Sequence, residues 1–434
     1  MLRELPCTVL RLFFRRIEVA GQQHVPSAGP VIFILNHPNA LMDPLVLLCR
    51  AGRPVSFLAK EPLFRMPVIG TLVRAMDSIP VYRKMDQADT ANNAKTFAAA
   101  RQLLARGGSL ALFPEGTSHS DPKLKPFRTG AARIALGSGV PGLRIVPAGL
   151  FYTDKTTFRS GALLCFGDAI DVALVEPGPD GEPPAEPVRA LTTGLESALG
   201  ELTLQADHHE ALRLAESADR LLATAAGTKP DLAERLERRQ RLLRGYAKLR
   251  VDAPERLGRL SSRILRYTSA LRNANLTPEL LPAGGYRATT VALVAVKALA
   301  TLLVLLPLAV AGMIAHFPAW LAVDLIANRF GRQHTDGIAT AKAVAGMLFY
   351  PVTWMILAWL AWRQWGAPGA IGALVLAPVA GWAAIIFLER FDLLAGGTRG
   401  LLLALTGKRK FLRLVAERTA IAEELAAVGR EFGI

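Results

Sequence analysis

Cysteine is scarce in this 434-residue chain: Cys7, Cys49 and Cys165 lie far apart, with no paired or CxxC spacing. That scarcity argues against a disulfide framework or a structural zinc site and fits a reducing compartment. Charge is sparse as well. Only 20% of residues are Asp, Glu, Lys or Arg, whereas 51% are hydrophobic and the mean hydropathy is +0.29. What charge there is leans one way, with 51 Lys plus Arg against 36 Asp plus Glu, a formal +15. Such an excess points to an anionic partner, either nucleic acid or a lipid surface. The apolar composition separates the two, because a soluble nucleic-acid binder of this charge is rarely so hydrophobic. Anionic membrane lipid is the expected partner, and nucleic acid is not.

Three stretches hold no Asp, Glu, Lys or Arg: residues 298–323, 343–362 and 364–388. A membrane-crossing helix needs about 20 apolar residues, since every backbone polar group in hydrocarbon must be paired within the helix. All three are long enough, so residues 290–388 read as a transmembrane region of two to three spans. Trp354, Trp359, Trp362, Trp365 and Trp382 are of the type that collects at membrane interfaces. The tail at 389–434 and the domain before the first span are both basic, so the positive-inside rule asks for both on the cytoplasmic face and hence for an even number of crossings, which three full spans would not give. At the N-terminus, Arg3, Glu4, Arg11, Arg15 and Arg16 interrupt the apolar residues, so no secretory signal is expected. Residues 1–15 read equally as a basic amphipathic segment on an anionic leaflet or as an ordinary first helix.

Residues 16–180 alternate short apolar runs with helical patterns. PVIFILN (30–36), SLALFP (109–114) and RIVPAGLFY (144–152) have the character of buried strands, with helical spacing at 90–106 and 128–138 between them. Strand–helix alternation of this kind implies an α/β domain with a mainly parallel central sheet. The Pro/Gly/acid-rich EPGPDGEPPAEP (176–187) marks a linker, and residues 188–285 have the Leu/Ala/Arg/Glu content of a helical module. The tail at 389–434 reads as a basic amphipathic segment.

The chemistry-bearing residues cluster at strand ends. After the first run comes Asn36-His37-Pro38-Asn39-Ala40-Leu41-Met42-Asp43-Pro44. A histidine followed by a nearby carboxylate offers a general base and the group that orients it. Phe113-Pro114-Glu115-Gly116-Thr117-Ser118 ends another run and precedes Lys123, Lys125 and Arg128. Glycine there lets backbone amides approach a ligand, and hydroxyls with cations suit a phosphate. Arg83 follows the short run Ile79-Pro80-Val81-Tyr82, and arginine is suited to bidentate phosphate capture. Val146-Pro147-Ala148-Gly149 forms a fourth element. Several alternatives lack their motifs: Ser118 is not in a GxSxG elbow, the first strand is not followed by GxGxxG, and no HExxH or paired-histidine spacing calls for a metal.

Taken together, NHPNALMDP, IPVYRK, FPEGTS and VPAGL resemble, in order and spacing, the four blocks of the PlsC-type glycerophospholipid acyltransferases over residues 16–170. One departure is that most of that family has four residues between histidine and aspartate, whereas this chain has five between His37 and Asp43. The longer spacing and the C-terminal spans look more like the fungal-type glycerol-3-phosphate acyltransferase branch, and leave the geometry of the pair open. The resemblance implies that His37 deprotonates an acceptor hydroxyl and that Asp43 orients it. It implies that Arg83 grips the acceptor's phosphate in a pocket shaped by Glu115, Gly116 and Thr117, with Asn36, Ser118, Lys123, Lys125, Arg128 and Pro147 as further substrate contacts. The implied partners are an acyl thioester donor and a phosphate-bearing glycerolipid acceptor. No cofactor or metal is implied beyond acyl-CoA or acyl carrier protein as co-substrate. Acylation of another lysolipid, or a non-catalytic membrane tether, are the rival readings.

Overall fold

A computed structural model describes residues 4–82, 93–179, 181–281, 288–331 and 335–433. The chain divides into two compact units, Met1–Asp207 with Phe330–Thr340, and His208–Arg329 with Ala341–Ile434.

The first unit is built on one sheet, whose strands are β1 (Phe14–Ala20), β2 (Val31–Leu35), β3 (Ser56–Lys60), β4 (Ile79–Val81), β5 (Ser109–Leu112), β6 (Arg144–Tyr152), β7 (Ser160–Phe166) and β8 (Ile170–Asp171). Their order is β1-β7-β6-β2-β5-β3-β4, with β8 on β6. All pairings are parallel except those of β6 with β7 and with β8. The mainly parallel α/β sheet read from the alternation of runs is therefore present.

Strand β2 shows why these residues form its centre. All of VIFIL is buried, because β2 is flanked by β5 and β6 and both its faces are covered. On one face Ile32 and Ile34 join Leu110 and Leu112 of β5. They pack against Ala100 and Leu104 of α4 (Asn93–Ala105), Ile134 of α5 (Gly130–Leu136), and Leu195 and Leu199 of α6 (Ala185–Glu201). On the other face Phe33 meets Phe166, with ring centroids 5.9 Å apart.

Two expectations are corrected here, the start of the helical module and the lack of a disulfide, while the N-terminal segment takes a helical form that both of its readings allow. Helix α6 belongs to the first unit because Leu195 and Leu199 complete its core, so the helical module begins at His208 instead of 188. The N-terminal segment is a helix, α1 (Glu4–Phe13), that runs straight into edge strand β1. Finally, Cys7 is disulfide-bonded to Cys49. Helix α1 packs on α2 (Met42–Arg50) and brings the two thiols together across 42 residues of sequence, a proximity that spacing alone does not reveal.

In the second unit, α7 (His209–Ala225), α8 (Leu232–Asp252) and α9 (Pro254–Asn273) pack with α12 (Lys408–Phe432). Leu221, Leu260, Ile264 and Leu271 bury against Phe411, Leu414 and Ile421, so the part of the basic tail in α12 packs one face into the module. The buried Arg418 donates to the Leu281 carbonyl.

Two further helices, α10 (Ala288–Gly331) and α11 (Ile338–Thr406), contain stretches long and apolar enough to cross a membrane, Val296–Arg329 and Ile338–Asp392. Gly366 breaks the second of these, with φ 68° and ψ −158°. Gly369 then lies against the Ala361 carbonyl, an approach no straight helix allows over that separation, so the chain turns back at the break. Each limb of that stretch is about 40 Å long at a rise of ~1.5 Å per residue. That exceeds the ~30 Å hydrocarbon core.

Candidate active site

The end of β2 is fixed to β6 by the Asn36 amide. Its Nδ2 donates to the Leu150 carbonyl at 3.0 Å, and its Oδ1 accepts from the Leu150 N–H at 2.7 Å. His37 follows directly, and its Nδ1 lies 2.8 Å from Asp43 Oδ2. The loop between them holds the extra residue by placing Ala40 in the left-handed region, at φ 38°. The Met42 N–H then bonds the Asn39 carbonyl at 2.9 Å and opens α2. Asp43 therefore stands in the first turn of that helix, where the exposed N–H groups favour negative charge.

Asp43 is fully buried and is satisfied by converging donors. Oδ2 also accepts from the Asn39 N–H at 2.7 Å, and Oδ1 accepts from the Tyr152 hydroxyl at 2.7 Å. Burial, then the charge of Asp43, then the hydrogen bond to it push the Tyr152 phenol well above its ordinary pKa, which keeps it a donor. The His37 ring stacks on Phe113, with centroids 3.9 Å apart and planes 14° apart. Nδ1 faces the carboxylate, and among the described residues nothing bonds Nε2. With Nδ1 protonated, Nε2 keeps a lone pair that can take a proton.

The loop after β5 is locked beside this pair. Glu115, 3% exposed, accepts from the His37 N–H at 3.2 Å and the Lys125 N–H at 2.8 Å, and also bonds the His119 ring. The His119 N–H returns to the His37 carbonyl at 3.0 Å. Glu115 thus ties the two motif loops together, with its carboxylate on backbone and ring donors. Gly116 sits at φ +74°, a conformation side chains rarely adopt, and an added Cβ would also push aside the exposed Arg128 side chain, whose Nε would lie 2.6 Å from it.

The remaining sequence-derived residues fall differently. Thr117 donates its hydroxyl to the Ser118 carbonyl at 3.3 Å. Lys123 and Arg128 are exposed on the same loop, and Lys125 pairs with Asp121 at 3.3 Å. Pro147 is buried within β6, opposite Ile34, and its carbonyl accepts from the Gly167 N–H at 2.9 Å. Arg83 lies outside the described residues. Among the described residues, no group of three or more His, Cys, Asp or Glu could hold a metal ion.

Comparison with known proteins bears on what this pair serves. A family described as Acyltransferase matches residues 16–150, and one described as Glycerol-3-phosphate acyltransferase 2 C-terminal domain matches 215–433, just over half of the chain. The chain belongs to this acyltransferase family. Glycerol-3-phosphate O-acyltransferase 1 of Saccharomyces cerevisiae is 25% identical to it, covering 98% of this chain and 70% of the yeast protein. Glycerol-3-phosphate O-acyltransferase 2 of the same yeast is 27% identical over 62% of this chain and 38% of that protein. A chloroplastic 1-acyl-sn-glycerol-3-phosphate acyltransferase of Brassica napus is 32% identical over 33% of this chain and 39% of its own.

The acyltransferase also gathers residues that sequence reading missed. Tyr152 ends the strand of the fourth block, where a two-residue period from Ala148 and Leu150 was its one signal. Lys155 donates to the Pro38 carbonyl at 3.2 Å and Ser120 Oγ at 2.6 Å. Asp336 accepts from the Ser118 hydroxyl, and Thr340 Oγ1 accepts from the Leu41 N–H at 3.1 Å. Both come from the polar segment 330–340 between the long apolar helices, which belongs to the first unit. Nothing in its sequence separates it from an ordinary connector.

Proposed function

We propose that this membrane-associated acyltransferase moves a fatty acyl group from an acyl thioester to a hydroxyl of glycerol 3-phosphate, or of its 1-acyl form, with His37 as general base. The observation that carries the reading is the 2.8 Å His37–Asp43 pair, with Nε2 left without a partner among the described residues. His37 Nε2 takes the proton of the acceptor hydroxyl as its oxygen attacks the thioester carbonyl carbon. The C–O bond forms and the C–S bond breaks. The departing thiolate recovers that proton from the imidazolium, which leaves an ester and a free thiol. Asp43 holds the ring and stabilises its charged form during the step, while Tyr152 and the Asn39 N–H hold Asp43.

The reaction as written uses no metal and no cofactor beyond the co-substrate, acyl-CoA or acyl carrier protein. Glycerol 3-phosphate is the favoured acceptor, because the yeast relative named for it aligns with 98% of the chain, whereas the plant relative named for the acylated form aligns with 33%. The formal +15 charge supports attraction of anionic acceptors and anionic lipid. Each acyl CH₂ adds about 0.8 kcal/mol of membrane affinity, so a membrane-held enzyme suits a product that stays in the bilayer. The basic segments flanking the apolar helices support an active site on the cytoplasmic face.

The test is acyl transfer by the detergent-purified protein, offered glycerol 3-phosphate and its 1-acyl form separately with one acyl-CoA. Transfer to either, lost in a folded His37→Ala variant, supports the reading. Activity of that variant equal to the parent would refute it, and silence of the parent on both acceptors would favour another lysolipid or a tether.

A further inference from the structure

Beside the His37–Asp43 pair lies a second polar cluster that the transfer step does not use. The Lys155 ammonium reaches Ser120 Oγ and the carbonyl of Pro38, the residue after His37, which commits two of its three N–H donors. Its own carbonyl accepts from the buried Asn39 amide at 3.0 Å, so its backbone is held by the same loop that carries the pair. The Ser118 hydroxyl, from the neighbouring loop, donates to Asp336. Asp336 stands in the turn Thr335–Gly337, held close by the bond from the Leu41 N–H to Thr340.

A half-buried lysine needs a counter-anion. Burial holds the Lys155 pKa below its ordinary value, and among the acids that oppose this effect Asp336 acts most strongly, ahead of Asp43, Asp121 and Asp154. Serine hydroxyls, an ammonium and an oxyanion within reach of the nucleophile's base form a site for an anionic oxygen group. In this structure the Asp336 carboxylate accepts from Ser118, and it is the acid that acts most strongly on Lys155.

We propose that Lys155, Ser118 and Ser120 form an anion subsite for the acceptor's phosphate, and that Asp336 is a resident carboxylate which the phosphate displaces. The assignment of the anion to the acceptor rests on the function proposed above; the subsite itself does not. Asp336 then sets a threshold for acceptors. A phosphate carries more charge and more acceptor oxygens than a carboxylate and displaces it, whereas a neutral glycerolipid has nothing with which to compete.

The experiment uses the full chain in detergent and inorganic phosphate as the probe, with binding followed by calorimetry. Asp336→Asn keeps a carbonyl to accept from Ser118 and removes only the charge. Its phosphate Kd is expected to fall about tenfold, and its acceptor KM to fall with it while the donor KM holds. Asp336→Glu restores the charge and returns both toward the parent. Lys155→Met placed in the Asp336→Asn protein raises the phosphate Kd about tenfold or more. Phosphate affinity within twofold of the parent in Asp336→Asn, or weakened, overturns the proposal. Should the parent acylate neither acceptor while phosphate binding responds as described, the anion subsite stands and the acceptor assignment falls.

Discussion

Replacing Asp43 by asparagine keeps the shape of the side chain and removes its charge, and the contacts around it say where the loss falls. His37 Nδ1 and the Asn39 N–H share Oδ2, while the Tyr152 hydroxyl donates to Oδ1. An amide has one oxygen and one NH₂. Its oxygen takes the Oδ2 position, where two donors already converge, and its NH₂ faces the phenol oxygen, which can accept. The ring of His37 therefore keeps its orientation and its tautomer. What disappears is the negative charge opposite the imidazolium that forms as the acceptor proton is taken. Two unit charges with centres ~4 Å apart in an effective dielectric of ~20 interact by about 4 kcal/mol. At about 1.4 kcal/mol per tenfold in rate, kcat falls roughly a thousandfold. The assay is single-turnover acyl transfer from labelled acyl-CoA to glycerol 3-phosphate, at saturating acceptor, with thermal unfolding as the folding control. A folded Asp43→Asn protein within tenfold of the parent would refute the charge-stabilisation argument.

Tyr152→Phe removes one donor from a buried carboxylate and is expected to cost about 1.5–3 kcal/mol of stability by chemical denaturation. Because the folded phenol titrates above its ordinary value, that contribution is complete below about pH 10 and is lost as pH rises through the folded value, so parent and variant converge only at the alkaline end. Glu115→Gln is expected to lower kcat and leave the acceptor KM within twofold, since the carboxylate serves the His37 N–H, the Lys125 N–H and the His119 ring. A rise confined to the acceptor KM would instead make Glu115 a wall of the phosphate pocket. Gly116→Ala carries a left-handed backbone penalty of about 1–2 kcal/mol, plus a clash with Arg128. Adding Arg128→Ala should recover the clash but not the backbone part; full recovery of the melting temperature would contradict the φ argument.

The strands that carry the motif blocks are legible because buried parallel strands demand continuous apolar runs. VIFIL, SLAL and the inner part of RIVPAGLFY supply them, and the site lies at their C-terminal ends. Strand β1 is not legible in the same way. FRRIEVA sits at the sheet edge with two arginines exposed, so its pattern reads as a polar, basic segment. Residue types were informative at Asn36, Glu115 and Pro147, but a sequence does not say whether a side chain meets substrate or backbone, and in the structure these meet backbone and sheet. Asp336 was invisible for a different reason. It lies some 300 residues from His37 in sequence, and its carboxylate acquires meaning only when segment 330–340 joins the first unit.

The spacing of His37 and Asp43 is the point where the pattern departs from the family and the structure explains how it is tolerated. With five residues between them, a regular turn would carry Asp43 past the ring, yet the pair closes at 2.8 Å. Ala40 absorbs the added length at φ 38°, a conformation that costs a side-chain-bearing residue about 1–2 kcal/mol. If that strain is what sets the register, two substitutions at one position should separate. Ala40→Gly relieves the strain but adds chain entropy to the unfolded state, so stability rises by about 1 kcal/mol at most and kcat holds. Ala40→Val places a β-branched side chain where φ is positive, which drives the residue back toward negative φ and shifts Asp43 relative to His37. Its kcat should fall at least tenfold, out of proportion to any change in melting temperature, because the cost is paid in the alignment of the base. A valine variant that matches the parent in both measurements would mean that the loop closes the pair by another route, and that Ala40 is strained for no catalytic purpose.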